Sequence, residues 1–233
     1  MSRRAWLISG AAVVAIIVVV VAIVVSVSGG DSSTDSSASS GGSVAGAEAV
    51  LAMTKGIPQN GFTIGKASAP VTVTEFLDPQ CPVCKKASTD AVAALVKGPV
   101  KSGEASLTVE PLTFIGSDSS TAALAIAAAA QQDRGFVYSD IMYANQGAEN
   151  SGWATEDLLT GIASAIPGIN VSTWQSARSS QAASDAVFAA SDAAKAAGAN
   201  ATPTFVIKGP GGSKTLTGAI PGSEILAAVQ SVS

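Results

Sequence analysis

The apolar positions change period along the chain, and each change marks an element. From Ala5 to Val27 the residues are apolar except for Ser9, Gly10 and Ser26. As a helix this run spans about 34 Å, enough to cross a bilayer. Arg3 and Arg4 precede it and Asp31 and Asp35 follow it. That asymmetry places residues 1–4 in the cytoplasm and everything after the run outside, with a transmembrane anchor over 5–28. A cleaved signal peptide is the competing reading, because Ser26-Val27-Ser28 fits a small-x-small cleavage site and Ser2-Arg3-Arg4 faintly resembles a twin-arginine start. The run exceeds the roughly 7–15 apolar residues of a signal peptide, which favours the anchor. Residues 29–43, GGDSSTDSSASSGGS, offer no apolar side chain larger than Ala38 and cannot repay the entropy of ordering, so they read as a flexible tether.

A folded domain is expected over 44–233. Ala45 to Thr54 carries helical spacing, and Gly56, Pro58, Asn60 and Gly61 end it with turn chemistry. Phe62 to Gly65 and the β-branched run Val71 to Leu77 predict two strands separated by a turn over Lys66 to Pro70. From Pro82 to Lys97 the period becomes helical, with Cys84, Ala87, Ala91 and Leu95 on one face. Leu107 to Ile115 is a further strand, which completes a strand–helix–strand unit and favours parallel pairing. Residues 118–198 are Ala-rich, broken by Gly147, Gly152, Pro167 and Gly168, and show no strand pattern; they read as a helical insertion. Thr204 to Ile207 and Lys214 to Thr217 flank a Gly209-Pro210-Gly211-Gly212 turn and predict a hairpin, and Ser223 to Val232 a last helix.

Composition narrows the chemistry. The chain has 233 residues, 47% of them hydrophobic, which is enough to bury a core. Its 13 basic residues are scattered against 17 acidic ones, with no basic cluster to neutralise phosphates, so nucleic acid is not an expected partner. Histidine is absent, which excludes Ser-His-Asp and Cys-His catalysis and the usual imidazole metal ligands. Two cysteines occur, Cys81 and Cys84, separated by Pro82 and Val83. Neither lies near the apolar run, which excludes a lipoprotein anchor.

A Cys-x-x-Cys opening a helix sets its first sulfur beside unpaired backbone N–H groups, at the end of the helix where the dipole favours an anion. Cys81 is therefore expected to have a depressed pKa. Pro82 fits the first helical position, where no N–H is missed. Cys84 lies one turn deeper. The pair suits disulfide exchange, in which an exposed thiolate attacks and a second thiol resolves the mixed disulfide. By strand alternation Glu75 shares a face with Val71, Val73 and Leu77. Buried there, its carboxyl would be raised in pKa and could shuttle a proton for Cys84. A strand-end acid that reaches solvent or pairs with Lys85 or Lys86 is the other reading of Glu75.

The run TVTEFLDPQCPVC, followed downstream by Ala201-Thr202-Pro203-Thr204-Phe205, resembles the DsbA-like branch of the thioredoxin superfamily. The resemblance extends from about Phe62 to the C-terminus and includes Tyr143-Ala144-Asn145-Gln146. It implies an α/β thioredoxin-like fold with an inserted helical subdomain. It also implies a cis-proline at Pro203 facing Cys81, a Thr202 backbone that pairs with an extended substrate, and Glu75 as the buried acid. The residues alone leave the Thr202–Pro203 isomer to the trans majority of X-Pro bonds. Strongly oxidising members carry Pro-His between the cysteines, whereas Pro82-Val83 stands here. A Cys81 pKa below the free value but less extreme than theirs, and a less oxidising couple, are expected.

The function so implied is an extracytoplasmic thiol:disulfide oxidoreductase that forms disulfides in exported proteins. Its partners would be those proteins and a quinone-linked membrane protein that reoxidises the pair. No cofactor is expected beyond the Cys81–Cys84 disulfide, and no metal, since zinc would need two ligands that the cysteines do not supply. An isomerase or reductase of the same fold, a structural disulfide, and a tethered chaperone or binding module are the alternatives. So small a loop would stabilise little as a structural bridge.

Overall fold

The structure, a computed structural model, describes residues 44–233. The expected anchor over 5–28 and tether over 29–43 lie outside the described residues. Among the described residues no helix is long and apolar enough to cross a membrane.

Helix α1 (Ala47–Thr54) leads into two short strands, β1 (Gln59–Asn60) and β2 (Thr63–Gly65). Then follow β3 (Val71–Leu77), the site helix α2 (Pro82–Ala87) with its continuation α3 (Ala93–Leu95), and β4 (Ala105–Pro111). The insertion is α4 (Ser117–Ala130), α5 (Gly135–Ala144), α6 (Glu156–Ala165), α7 (Val171–Arg178) and α8 (Gln181–Ala197). Strands β5 (Thr204–Gly209) and β6 (Gly212–Thr217) and helix α9 (Gly222–Val232) complete the chain.

The six strands form one sheet in the order β1-β2-β4-β3-β5-β6. At its centre β3 runs parallel to β4, with Glu75 opposite Val109, and antiparallel to β5, with Glu75 opposite Phe205. A strand in this position is covered on both faces, which accounts for its β-branched composition. Val71, Val73 and Leu77 join the main core with Cys84, Ala87, Ala91 and Leu95 of the site helix and Ile225 and Val229 of α9. Phe76 points to the opposite face and meets Leu112 and the alanines Ala190 and Ala194 of α8.

Three elements differ from expectation. The site helix does not stop at Lys97 but continues to Val100 through two widened, π-type turns, Ser88–Val92 and Val96–Val100. Pro99 lacks an N–H and crowds the preceding turn, and Gly98 takes the non-helical φ −104°, ψ −108° at the kink. Strand β4 ends at Pro111 rather than Ile115, because the Phe114 and Ile115 N–H groups donate to Asp78 Oδ2 at 2.7 and 3.1 Å instead of to a neighbouring strand. The two-residue strand β1 has too short a pattern to be seen in advance.

In the insertion, the small side chains of α4 let helices approach closely on all sides. Trp174 of α7 donates its indole N–H to Ala125 O at 2.9 Å and stacks on Tyr138 of α5, their centroids 5.7 Å apart. The helices therefore pack against one another and, through α5 and α8, against β4 of the sheet.

Candidate active site

Strand β3 delivers the chain to the site, and Asp78-Pro79-Gln80 turns it into α2. Cys81 is the N-cap residue, with extended φ −68° and ψ 118°, and its sulfur accepts the Cys84 N–H at 3.4 Å. Ser, Thr, Asp or Asn usually occupies such a position; a sulfur there takes over the same unpaired donors. Pro82 occupies the first helical turn, as its preset φ favours. Both cysteines are free thiols.

The two sulfurs have opposite environments. The thiol of Cys84 donates to the Cys81 sulfur, and that bond is the main reason the Cys81 pKa falls to about 6, against a counteracting desolvation. The Thr202 hydroxyl and the Cys84 and Val83 N–H groups pull in the same direction. Burial pushes the Cys84 thiol well up, and the Cys81 sulfur and the Glu75 carboxylate push it further. Access is less generous than expected: Cys81 keeps 6% of its surface and Cys84 none. Thr202 O lies 3.5 Å from the leading sulfur, so the thiolate is not displayed openly at the surface.

Glu75 is 2% exposed, and its Oε1 has no hydrogen-bond partner. Desolvation, then the nearby charges of Asp140 and Cys81, raise its pKa to about 8. Neither solvent nor a lysine reaches it; Lys85 Nζ donates instead to Gln146 O at 3.2 Å. On the other side of the sulfurs, the Thr202–Pro203 bond is cis, and as a thiol Cys81 donates to Thr202 O at 3.5 Å. Pro203 is buried, Pro82 is exposed, and Val83 is 36% exposed beside the opening. The structure thus brings together Cys81, Cys84, Glu75, Thr202, Pro203, Pro82 and Val83. Among the described residues no group of His, Cys, Asp and Glu side chains is arranged to hold a metal ion.

The sequence profile of the family described as thioredoxin matches residues 58–218. The chain belongs to the thioredoxin family, among its DsbA-like thiol:disulfide oxidoreductases. It is 30% identical over 150 residues to a protein of Bacillus cereus named probable disulfide bond formation protein D, covering 63% of this chain and 69% of that one. The oxidised BdbD structure from Bacillus subtilis superposes with a TM-score of 0.65 at 24% identity, over 75% of this chain and 95% of that one. DsbA of Chlamydia trachomatis gives a TM-score of 0.59 at 26% identity, over 72% and 89%.

The oxidoreductase site also contains residues that spacing along the chain did not mark. Asp78 is fully buried and accepts four hydrogen bonds: Gln80 N–H and the Ser119 hydroxyl at Oδ1, at 2.8 and 2.6 Å, and the Phe114 and Ile115 N–H groups at Oδ2. It ties the loop before Cys81 to the start of the insertion. Tyr143 donates its hydroxyl to Asp78 O at 3.0 Å, and Gln146 donates to Pro79 O and Cys81 O at 2.8 and 3.1 Å. The YANQ segment carried these two in the resemblance, but only the fold assigns their donors. Asp140, on the same face of α5 as Tyr143, gave no sequence signal at all, being one acid in a helix.

Proposed function

We propose that this protein forms disulfide bonds in exported polypeptides, anchored by residues 5–28 and acting outside the cytoplasm through the Cys81-Pro82-Val83-Cys84 pair. The observation that carries this reading is the division between the sulfurs: one thiol acidic at the mouth of the site, the other buried, protonated and hydrogen-bonded to it. In the oxidised form, a substrate thiolate attacks the Cys81 sulfur, the Cys81–Cys84 bond breaks and its electron pair leaves on Cys84. Glu75, neutral at physiological pH, gives Cys84 its proton. A second substrate thiolate then attacks the substrate sulfur of the mixed disulfide, and Cys81 leaves as a stabilised thiolate.

The Thr202 backbone beside the cis-proline supplies edge hydrogen bonds for an extended substrate segment, and Pro82 and Val83 flank it. Reoxidation by a quinone-linked membrane protein completes the cycle. Val83 favours a second reading, isomerase or reductase, because it offers no cation to the thiolate.

Two measurements decide between the readings. Cys84→Ala should accumulate Cys81-linked mixed disulfides with exported proteins, which a non-enzymatic binder would not do. Equilibration with glutathione gives the reduction potential, in which 30 mV corresponds to about 1.4 kcal/mol. A value as reducing as that of thioredoxin would overturn the oxidase assignment.

A further inference from the structure

Glu75 poses a problem of supply. It is sealed inside the central strand, its Oε1 unpartnered, yet each catalytic cycle requires it to lose and regain a proton. Helix α5 lies against this region: Tyr143 reaches Asp78 O, and Asp140, one turn earlier on the same face, is the carboxylate whose charge acts on Glu75. Asp140 is 8% exposed and has no ion-pair partner among the described residues. What exposure it has opens onto a pocket of about 290 Å³ between α1, the site helix and α5. A cavity of that size holds several waters.

We propose that Asp140 is the outlet for the Glu75 proton, connecting it to water in the α1–α2–α5 pocket. The inference rests on the assignment of Glu75 as the acid for Cys84. When the Cys81–Cys84 bond breaks, the proton goes from the Glu75 carboxyl to the Cys84 sulfur. The Glu75 carboxylate then takes a proton relayed from the Asp140 carboxyl through an intervening water, since no hydrogen bond joins the two directly, and Asp140 takes one from pocket water. On reoxidation every transfer reverses, so protons balance and no carboxylate is left ionised beside the other. Asp140 never touches the sulfurs; it is a positioning residue that acts through Glu75.

The surroundings suit the task. Burial raises the Asp140 pKa to about 7, just below that of Glu75, so the two carboxyls exchange a proton with little driving force either way. The charged and titratable side chains lining the pocket are Lys85 and Lys97 from the site helix and Tyr143 from α5 itself. Helix α1 contributes only Gly46, Ala49, Val50 and Met53 there. On the far side of α5, Glu156 of α6 is paired with Arg178. Among the described residues, Asp140 is thus the one acidic side chain lining the pocket.

Asp140→Asn should slow Cys84-dependent resolution of a Cys81–glutathione mixed disulfide by about tenfold and flatten its pH profile, while the rate of Cys81 alkylation stays within about twofold. Asp140→Glu should retain the profile, and acetate, small enough for the pocket, should restore the rate of Asp140→Ala. A wild-type rate and profile in Asp140→Asn, or no rescue by acetate, would overturn the proposal. Should the variants not fold, infrared titration of the wild-type carboxyl bands, with the Glu75 band assigned by its loss in Glu75→Gln, serves instead: the Glu75 band must titrate above that of Asp140, and a Glu75 band that titrates below it refutes the transfer. Failure of Cys81 to exchange with glutathione in the wild type would refute the enzyme reading itself, a different result from either.

Discussion

Cys81 and Cys84 share one proton, and their difference in acidity comes from where each sulfur sits. The Cys81 sulfur accepts a thiol, a hydroxyl and backbone N–H groups, all of which favour its anion, while Cys84 has burial against it. Val83 is the one residue between the cysteines whose side chain is free to add to this. Val83→His should lower the Cys81 pKa below about 6. Each unit of that shift should raise the potential by about 30 mV. Thiolate ultraviolet absorbance and glutathione equilibration measure the two, and an unchanged potential would show that the imidazole does not reach the sulfur. Glu75 makes its own prediction. Its pKa is raised from 4.5 to about 8, so below pH 4.5 it costs the fold nothing. As pH rises toward 8 the unfolded chain ionises while the folded one does not, and stability falls. Glu75→Gln should remove that slope and stabilise the protein at neutral pH by about 3 kcal/mol, at the expense of exchange rate. Urea titrations at several pH values would show it; equal stabilisation at acid and neutral pH would contradict the assignment.

At the scale of elements, the site depends on how the insertion is attached. Asp78 holds Phe114 and Ile115, in the loop after β4, and Ser119, in the first turn of α4. A single buried carboxylate therefore fixes the loop before Cys81 and the first helix of the insertion together. Asp78→Ala strands four donors, two of them in buried hydrogen bonds and two in part-buried ones, and a loss of about 3 kcal/mol is expected. Denaturant midpoints would register it, and a cost below 1 kcal/mol would mean that water replaces the carboxylate. The π-type turn at Ser88–Val92 follows Cys84 by one turn. Within it Asp90 accepts the Gly222 N–H at 2.8 Å at the start of α9, which binds the last helix to the active-site helix.

For the molecule as a whole, redox state and folding stability are linked through Cys81. The reduced protein gains stability over the oxidised form as pH rises from about 6 toward the ordinary thiol value of 9.0, because only the folded chain ionises Cys81 in that interval. Below pH 6 the gain disappears. The difference between reduced and oxidised Tm should therefore grow with pH across the neutral range. A constant difference would show that the thiolate is no more stable in the fold than out of it.

Much of this architecture was readable in one dimension. A β-branched run marked β3, the Gly209-Pro210-Gly211-Gly212 turn marked the β5–β6 hairpin, and helical spacing marked the site helix and α9, because local propensity, turn chemistry and burial on one helix face are written in the sequence. Cys81, Cys84 and Pro82 were placed at a helix start by helix-end chemistry, and strand alternation offered a buried Glu75 as one of two readings, which the fold resolves as buried, since each of these placements is set within one turn or one strand. The cis state of Thr202–Pro203 came with the family resemblance and not from the residues. Tertiary structure alone decided the rest. Asp78 gains its meaning from donors 36 to 41 positions away, and Asp140 from a strand 65 residues earlier in the chain, the distance from Glu75. Local pattern records which face of an element is buried; it does not record which distant side chain that face will meet, and both proton affinity and hydrogen bonding are set by that meeting.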